Sequence, residues 1–301
     1  MTATHADATA TLVTGRPAEH RRRPRRSLVG SIVWHVFCLA LLLLLLYPVA
    51  WLVGSSFKPG TEILTNATPF PHEFTIENYQ IAVQGVAGLS LWQLLGNSLT
   101  ISVLTVVGNV LSCALAAYAF ARLRFRFRSV LFAFMISTIM LPMHVVLIPQ
   151  FIIFNEMGLV GTFLPLVLPK FLATEAFFVF LMVQFIRGIP RDLDEAALID
   201  GAGHPRIFLQ IILPLMVPAL ATTAIFTFIW TWNDFFVQLI FLTKPALYTV
   251  PLYLRGFMDS QSSTNFGEMF AMSVVSLIPI FLIFLFGQKF LIKGIATTGI
   301  K

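Results

Sequence analysis

The sequence predicts an all-α membrane protein with six transmembrane helices and both termini cytoplasmic. Three observations carry this. The 301 residues are 57% hydrophobic and 11% charged, whereas soluble domains carry about 25% charged residues, and mean hydropathy is +0.84. So little polar material cannot cover a water-facing surface of this size, which excludes a soluble globular enzyme and a disordered chain. Next, several apolar runs reach the roughly 20 residues that a helix needs to cross hydrocarbon. Finally, Lys and Arg are distributed asymmetrically. Sixteen of the 20 lie in the two ends and alternate loops, three lie in the other loops, and Lys170 lies within a span. Basic loops stay on the cytoplasmic side.

The elements follow in order. Residues 1–30 read as a flexible basic tail with Arg16, Arg21, Arg22, Arg23, Arg25 and Arg26. A span at 32–53, centred on Leu41–Leu46, reads as an uncleaved anchor, because no small-residue cleavage site follows it. The tail fixes orientation, with contact to anionic lipid as a further role. Residues 31–301 then form one transmembrane domain. Segment 54–91 is too polar to span. Further spans are expected at 94–118, 130–151, 215–239 and 270–291. The fourth, at 167–186, is the weakest: only 176–186 is free of charge, and reaching spanning length includes Lys170 and Glu175. These two belong in the outer half, near an interface or a wet interior.

Chemistry-bearing motifs are absent from the sequence. There is no GxxxxGK[ST], HExxH, CxxC or GxSxG, and the six histidines form no pair at helical metal-ligand spacing. Cys38 and Cys113 sit in apolar runs and read as small buried hydrophobes. No catalysis, cofactor or metal is expected in this chain. The basic residues have membrane addresses, so nucleic acid is not an implied partner. Pro142, Pro149, Pro218, Pro279, Gly96 and Gly108 fall within spans; hinges around a wet pathway and simple close packing both account for them. Polar candidates for a pathway are Asn97, Asn109, Trp230, Trp232, Asn233 and Asp234. An aromatic belt at the membrane interface is the alternative for the tryptophans.

The loop 187–214 is built to be ordered. Pro190 stops the fourth span, and Asp192 and Asp194 suit a helix N-terminus. A short helix over Glu195–Asp200 ends at Gly201 and Gly203; Pro205 opens a second helix, 206–213, limited by Pro214. Such a surface helix suits a groove on a soluble partner; lying on lipid headgroups is the alternative.

This loop reads EAA–x3–G–x9–I–x–LP at Glu195, Ala196, Ala197, Gly201, Ile211, Leu213 and Pro214. The spacing resembles the signature of the permease subunits of binding-protein-dependent ABC importers. The stretches Ser55–Ile63, Thr75–Gln80, Ala117–Phe125, Trp232–Phe235 and Gly287–Lys301 are similar to the carbohydrate type, the maltose and glycerol-phosphate transporter relatives. The resemblance implies a type I ABC importer permease fold in the inner membrane. It implies a coupling helix seated in a cleft of a cytoplasmic ATPase, with Glu195 pairing a basic residue there. Ala196 and Ala197 would allow close approach, with Asp200, Gly201 and Gly203 at the bend. It further implies a second permease subunit, an ATPase dimer that consumes the ATP, and an extracytoplasmic solute-binding protein. Whether this chain or its partner permease touches the solute stays open. A self-sufficient secondary transporter and an importer of a glycerol phosphate or polyol are the remaining alternatives.

Overall fold

A computed structural model of the chain describes residues 28–85, 89–259 and 266–298. The expected basic tail lies outside them except for Leu28–Gly30, which open the first helix. Every regular element among the described residues is helical. The chain divides into two compact units, residues 1–47 and 48–301. The first is described over 28–47, the leading part of α1 (Leu28–Ser55). Its sequence is apolar on all sides, as for a helix with apolar surroundings all round. All later elements belong to the second unit.

Within the polar segment 54–91, residues 54–85 fold into a hydrogen-bonded knot with two short helices, α2 (Gly60–Ile63) and α3 (Glu77–Gln84). Lys58 is fully buried. Its ammonium group donates to the carbonyls of Asn66 at 2.9 Å and Thr68 at 2.6 Å. Asn78 donates to the carbonyls of Ser56 and Lys58 at 2.9 and 2.8 Å. The Phe57 ring packs on Phe74 and on Tyr79, at 4.9 and 5.0 Å between centroids.

The centre of the unit is α4 (Leu91–Arg122), started by Ser90, whose hydroxyl accepts the Gln93 N–H. Its buried face is rich in small residues, among them Gly108, Cys113, Ala114, Ala117 and Ala121. Small residues let helix backbones approach closely where lipid supplies no hydrophobic drive. A side chain at Gly108 would meet the Phe171 ring at 2.5 Å. Gly108 is therefore a packing residue, and α4 runs unbroken through it and Gly96.

The expected third span, 130–151, is corrected. It is two helices, α5 (Arg128–Ser137) and α6 (Met143–Glu156), bent by 102° across a 3-10 turn and Pro142. Proline disfavours helical backbone in the residue before it, and Leu141 is extended with ψ 124°. Pro149 stays inside α6. The fourth region is likewise jointed: α7 (Leu164–Val167), a 3-10 turn, a left-handed Ala173 at φ 53°, then α8 (Ala176–Arg187). α9 (Asp192–Ile199) begins one turn earlier than expected.

The second loop helix also departs from the expectation. α10 (His204–Ile207) continues through a wide turn, Phe208–Ile212, into α11 (Leu213–Leu215), so Pro214 does not stop it. The Leu213 N–H reaches back five residues to the Phe208 carbonyl. A widened turn makes room for the ring of Pro214, which would clash in a regular helix. After a 75° bend, α12 (Val217–Asn233) follows. It ends six residues before the expected 239; Asp234 is extended, and α13 (Phe236–Phe241) is separate. α14 (Val250–Asp259) and α15 (Phe266–Thr298) complete the order, the latter containing Pro279 without a break. Among the described residues four helical stretches are long and apolar enough to cross a membrane, or up to six if each bent pair counts as one.

Two outcomes follow for the knot. A side chain at Gly54 would lie 1.6 Å from the Pro69 carbonyl oxygen, so Gly54→Ala should cost about 1–3 kcal/mol, read as a lower thermal midpoint in detergent. The Glu62 carboxylate accepts the N–H groups of His72 at 2.8 Å and Glu73 at 3.2 Å, and the Asn66 amide at 2.8 Å. The His72 N–H does most to hold its pKa below the ordinary glutamate value. A depressed carboxylate stabilises fully above its unfolded pKa and loses that contribution as pH falls through the folded value. Exchange protection of the His72 and Glu73 amides, corrected for intrinsic rates, should hold above about pH 5 and fall below about pH 4. Glu62→Gln should flatten that profile.

Candidate functional site

The loop after α8 is an ordered helix pair. Asp192, Asp194 and Glu195 occupy the first turn of α9, where the helix dipole favours negative charge. Gly201 is left-handed at φ 79°. The N–H of Ala202 bonds the Ala197 carbonyl at 2.9 Å, a glycine-dependent helix stop. A side chain at Gly201 would meet nothing within 4 Å, so its backbone angle alone calls for glycine. Gly203, extended at φ −78°, precedes α10.

One basic residue holds this pair to the membrane body. The Arg122 side chain, at the last turn of α4, lies with Nε 2.8 Å from Asp194 Oδ2, and its Nη2 donates to the Ile189 carbonyl at 2.8 Å. The two side chains are 5% and 15% exposed. The Tyr118 hydroxyl lies 3.3 Å from His204 Nδ1, and its ring packs on Phe208. Ile207 and Ile212 are fully buried in the same cluster, with Ala197 inside and Ile211 and Leu213 at its edge. Glu195, Ala196, Asp200 and Pro214 are exposed. Leu193, Leu198 and Ile199 are exposed at 43, 48 and 87%, an apolar surface on an otherwise acidic helix. Beside it lies a cleft of about 580 Å³ lined by Tyr118, Arg122, Arg124, Arg191, Glu195 and His204.

The second feature is a cavity of about 950 Å³. Three helix breaks meet on it: Leu141 and Met143 flank the α5–α6 joint, Thr174 and Glu175 precede α8, and Asn233 and Asp234 end α12. Trp230, Asn233 and Asp234, all expected on a pathway, are brought together here. Asp234 Oδ1 accepts the Val237 N–H at 3.1 Å, and Asn233 donates to the Ile229 carbonyl at 2.8 Å. Trp232 is placed elsewhere: it is buried, stacks on Phe228 and donates to the Ser276 carbonyl at 3.1 Å. Asn97 clamps the carbonyls of Ala246 and Tyr248. Asn109 is buried and donates to Thr227 at 2.7 Å, tying α4 to α12. The cavity also takes Gln150, Gln238 and the ion pair Lys170–Glu175. The two glutamines carried no local signal, while the ion pair was visible as the charge that weakened the fourth span.

Removing one partner of a buried ion pair leaves the other charge uncompensated, a loss of about 3–5 kcal/mol. Arg122→Met should therefore loosen α9, read as faster amide exchange over 192–199 with α4 unchanged. The exchanged pair Arg122→Asp with Asp194→Arg should recover part of the protection. No change in exchange for Arg122→Met would refute the anchoring role.

Comparison with known proteins identifies the family and the fold. The family described as binding-protein-dependent transport system inner membrane component matches residues 108–297. A probable ABC transporter permease protein, YurM of Bacillus subtilis, is 32% identical over 94% of this chain and 93% of its own. The arabinooligosaccharide transport system permease protein AraQ of Halalkalibacterium halodurans is 33% identical over 85% and 91%. The diacetylchitobiose uptake system permease protein DasC of Streptomyces coelicolor is 29% identical over 92% and 99%. Among solved structures, a bacterial ABC transporter that imports the acidic polysaccharide alginate superposes with a TM-score of 0.77. It is 23% identical, over 89% of this chain and 99% of that one. That likeness establishes the fold, and the matched relatives establish membership: the chain belongs to the inner membrane permease components of binding-protein-dependent ABC importers, a transport component and not an enzyme.

Proposed function

We propose that this chain forms one half of the translocation pathway of an ATP-driven importer of a sugar or sugar-like solute. It crosses the cytoplasmic or inner membrane six times, each bent helix pair counting as one span, with both termini cytoplasmic. A second permease subunit completes the pathway. A cytoplasmic ATPase dimer binds and consumes ATP, this chain holding no cofactor or metal, and an extracytoplasmic protein delivers the solute. The observation that carries the reading is the helix pair 192–215. It is rigid, it presents Glu195, Leu198 and Ile199 outward, and it is bolted to α4 by Arg122. A partner groove that moves would drag α4 with it. The orientation is supported by Arg122, Arg124, Arg187 and Arg191, which the fold gathers at this end. The solute class is supported by relatives named for arabinooligosaccharide, diacetylchitobiose and galactooligosaccharide transport.

The helix pair acts as a lever in this scheme. ATP binding closes the ATPase dimer, α9 moves in its cleft, and the membrane helices switch between inward-open and outward-open arrangements. Glu195 meets a basic residue of the ATPase. Ala196 permits close approach, and Asp200, Gly201 and Gly203 set the bend. Ala197, Ile211 and Leu213 hold the pair against the body, and Pro214 sets the wide turn that precedes α12.

The test is ATP hydrolysis by the purified complete assembly in liposomes. Glu195→Lys and Gly201→Pro should each lower solute-stimulated hydrolysis and uptake about tenfold or more, one charge reversal or one broken turn at a desolvated contact. Membrane insertion and yield should be unchanged. Wild-type stimulation in both variants, or uptake by this chain alone, would overturn the assignment.

A further inference from the structure

The cavity wall contains one cation and two carboxylates, Lys170, Glu175 and Asp234, and these are the only ionisable groups among its described lining residues. The cation is already committed, since the Lys170 ammonium group donates to Glu175 Oε1. The backbone on either side of the pair is tied down: Ser112 donates to the Lys170 carbonyl at 2.7 Å, and Thr174 to the Pro169 carbonyl at 3.0 Å. Asp234 has Oδ1 on the Val237 N–H, and by formal charge the wall sets two carboxylates against one ammonium. Beside these groups Trp230 keeps half of its surface exposed, and Asn233 and Gln150 add neutral amides.

We propose that this wall is a subsite for an uncharged saccharide, and that Glu175 is the specificity-determining residue because it occupies the only cation on the wall. A phosphate or uronate that gives up its hydration at this wall needs a cation within hydrogen-bond reach. Here the single ammonium is taken and Asp234 repels the anion. A neutral sugar meets no such penalty: one ring face lies on Trp230, and its hydroxyls exchange water for amide and carboxylate partners. The proposal rests on the importer reading. It narrows the solute to a neutral one and excludes a glycerol phosphate at this wall.

The experiment uses the complete assembly in nanodiscs, without the solute-binding protein, so that only the membrane subunits choose. Tryptophan fluorescence is titrated with a panel of neutral di- and trisaccharides, with di- and trigalacturonate, and with glycerol 3-phosphate. Wild type should respond to a neutral sugar and bind the anions at least about tenfold more weakly, the effect of one unit charge at close range. Glu175→Gln should free Lys170 and close that gap. Lys170→Gln with Glu175→Gln removes both charges and should leave anion binding weak, which separates a released cation from a loosened wall. Equal wild-type affinity for anions overturns the proposal, as does anion binding restored equally by the double variant. Binding of neither class also removes the subsite from this chain, whereas ATP-driven uptake by the same assembly reconstituted in liposomes with its solute-binding protein would still uphold the importer reading.

Discussion

In hydrocarbon every backbone N–H and C=O must find a partner inside the protein, and this molecule is organised around the places where its helices stop supplying one. Three such breaks, at Leu141–Pro142, Ala173–Glu175 and Asp234–Phe235, face one cavity. Two of them, at Ala173–Glu175 and Asp234–Phe235, are braced by side chains. Gln238 donates to the Thr231 carbonyl, which also accepts the Asp234 N–H at the end of α12, and Asp234 accepts the Val237 N–H at the start of α13. Ser112 and Thr174 cover the carbonyls of Lys170 and Pro169. Irregular backbone at membrane depth is tolerated where it is buried in protein or lines a wet space. The polar residues that mend the breaks are therefore the same ones that give the cavity its chemistry.

The opposite end obeys a different constraint. The helix pair 192–215 is too short to be stable alone, so it borrows order from the membrane body. Apolar anchoring comes from Ile207 and Ile212, and polar anchoring from Arg122 and Tyr118. Arg122 reaches both the Ile189 carbonyl, before α9, and Asp194 within it. One guanidinium thus fixes the angle at which α9 leaves α8, which its planar set of donors suits better than a lysine would. On the outer face Leu198 and Ile199 stay exposed beside Glu195.

Local signals in the sequence account for the parts of the fold that local physics decides. α1, α4 and α15 are legible because length and apolarity suffice to define them. The stop at Gly201 is legible because glycine is the residue for a left-handed helix end. The third and fifth spans are not, because an average over a window of residues carries no direction: Pro142 marks a break without revealing a 102° turn. Trp230 and Trp232 teach a second lesson. Two positions apart on a helix means about 200° around it, so both could not face one cavity, and only Trp230 does. Asn97 lies off the cavity wall for a tertiary reason, the return of the chain at Ala246 and Tyr248. The Arg122–Asp194 pair joins residues 72 positions apart, and no local pattern announces it.

The two ends are joined by one element. α4 contributes Ile101 to the cavity and Arg122 to the helix pair, 21 residues apart, or about 32 Å of continuous helix. The other helices at the cavity are jointed close to it, whereas α4 is not, since Gly96 and Gly108 leave it unbroken. A continuous rod among jointed neighbours is the arrangement in which displacement of one end changes spacing at the other. The small residues along its buried face permit this in a specific way. They allow close approach of the α4 backbone to α8 and α12. Asn109, which holds α4 to α12 through Thr227 at 2.7 Å, is then the register pin between rod and cavity wall. It sits between the two ends, where a change in register would alter the distance from Ile101 to Trp230 while leaving both helices intact.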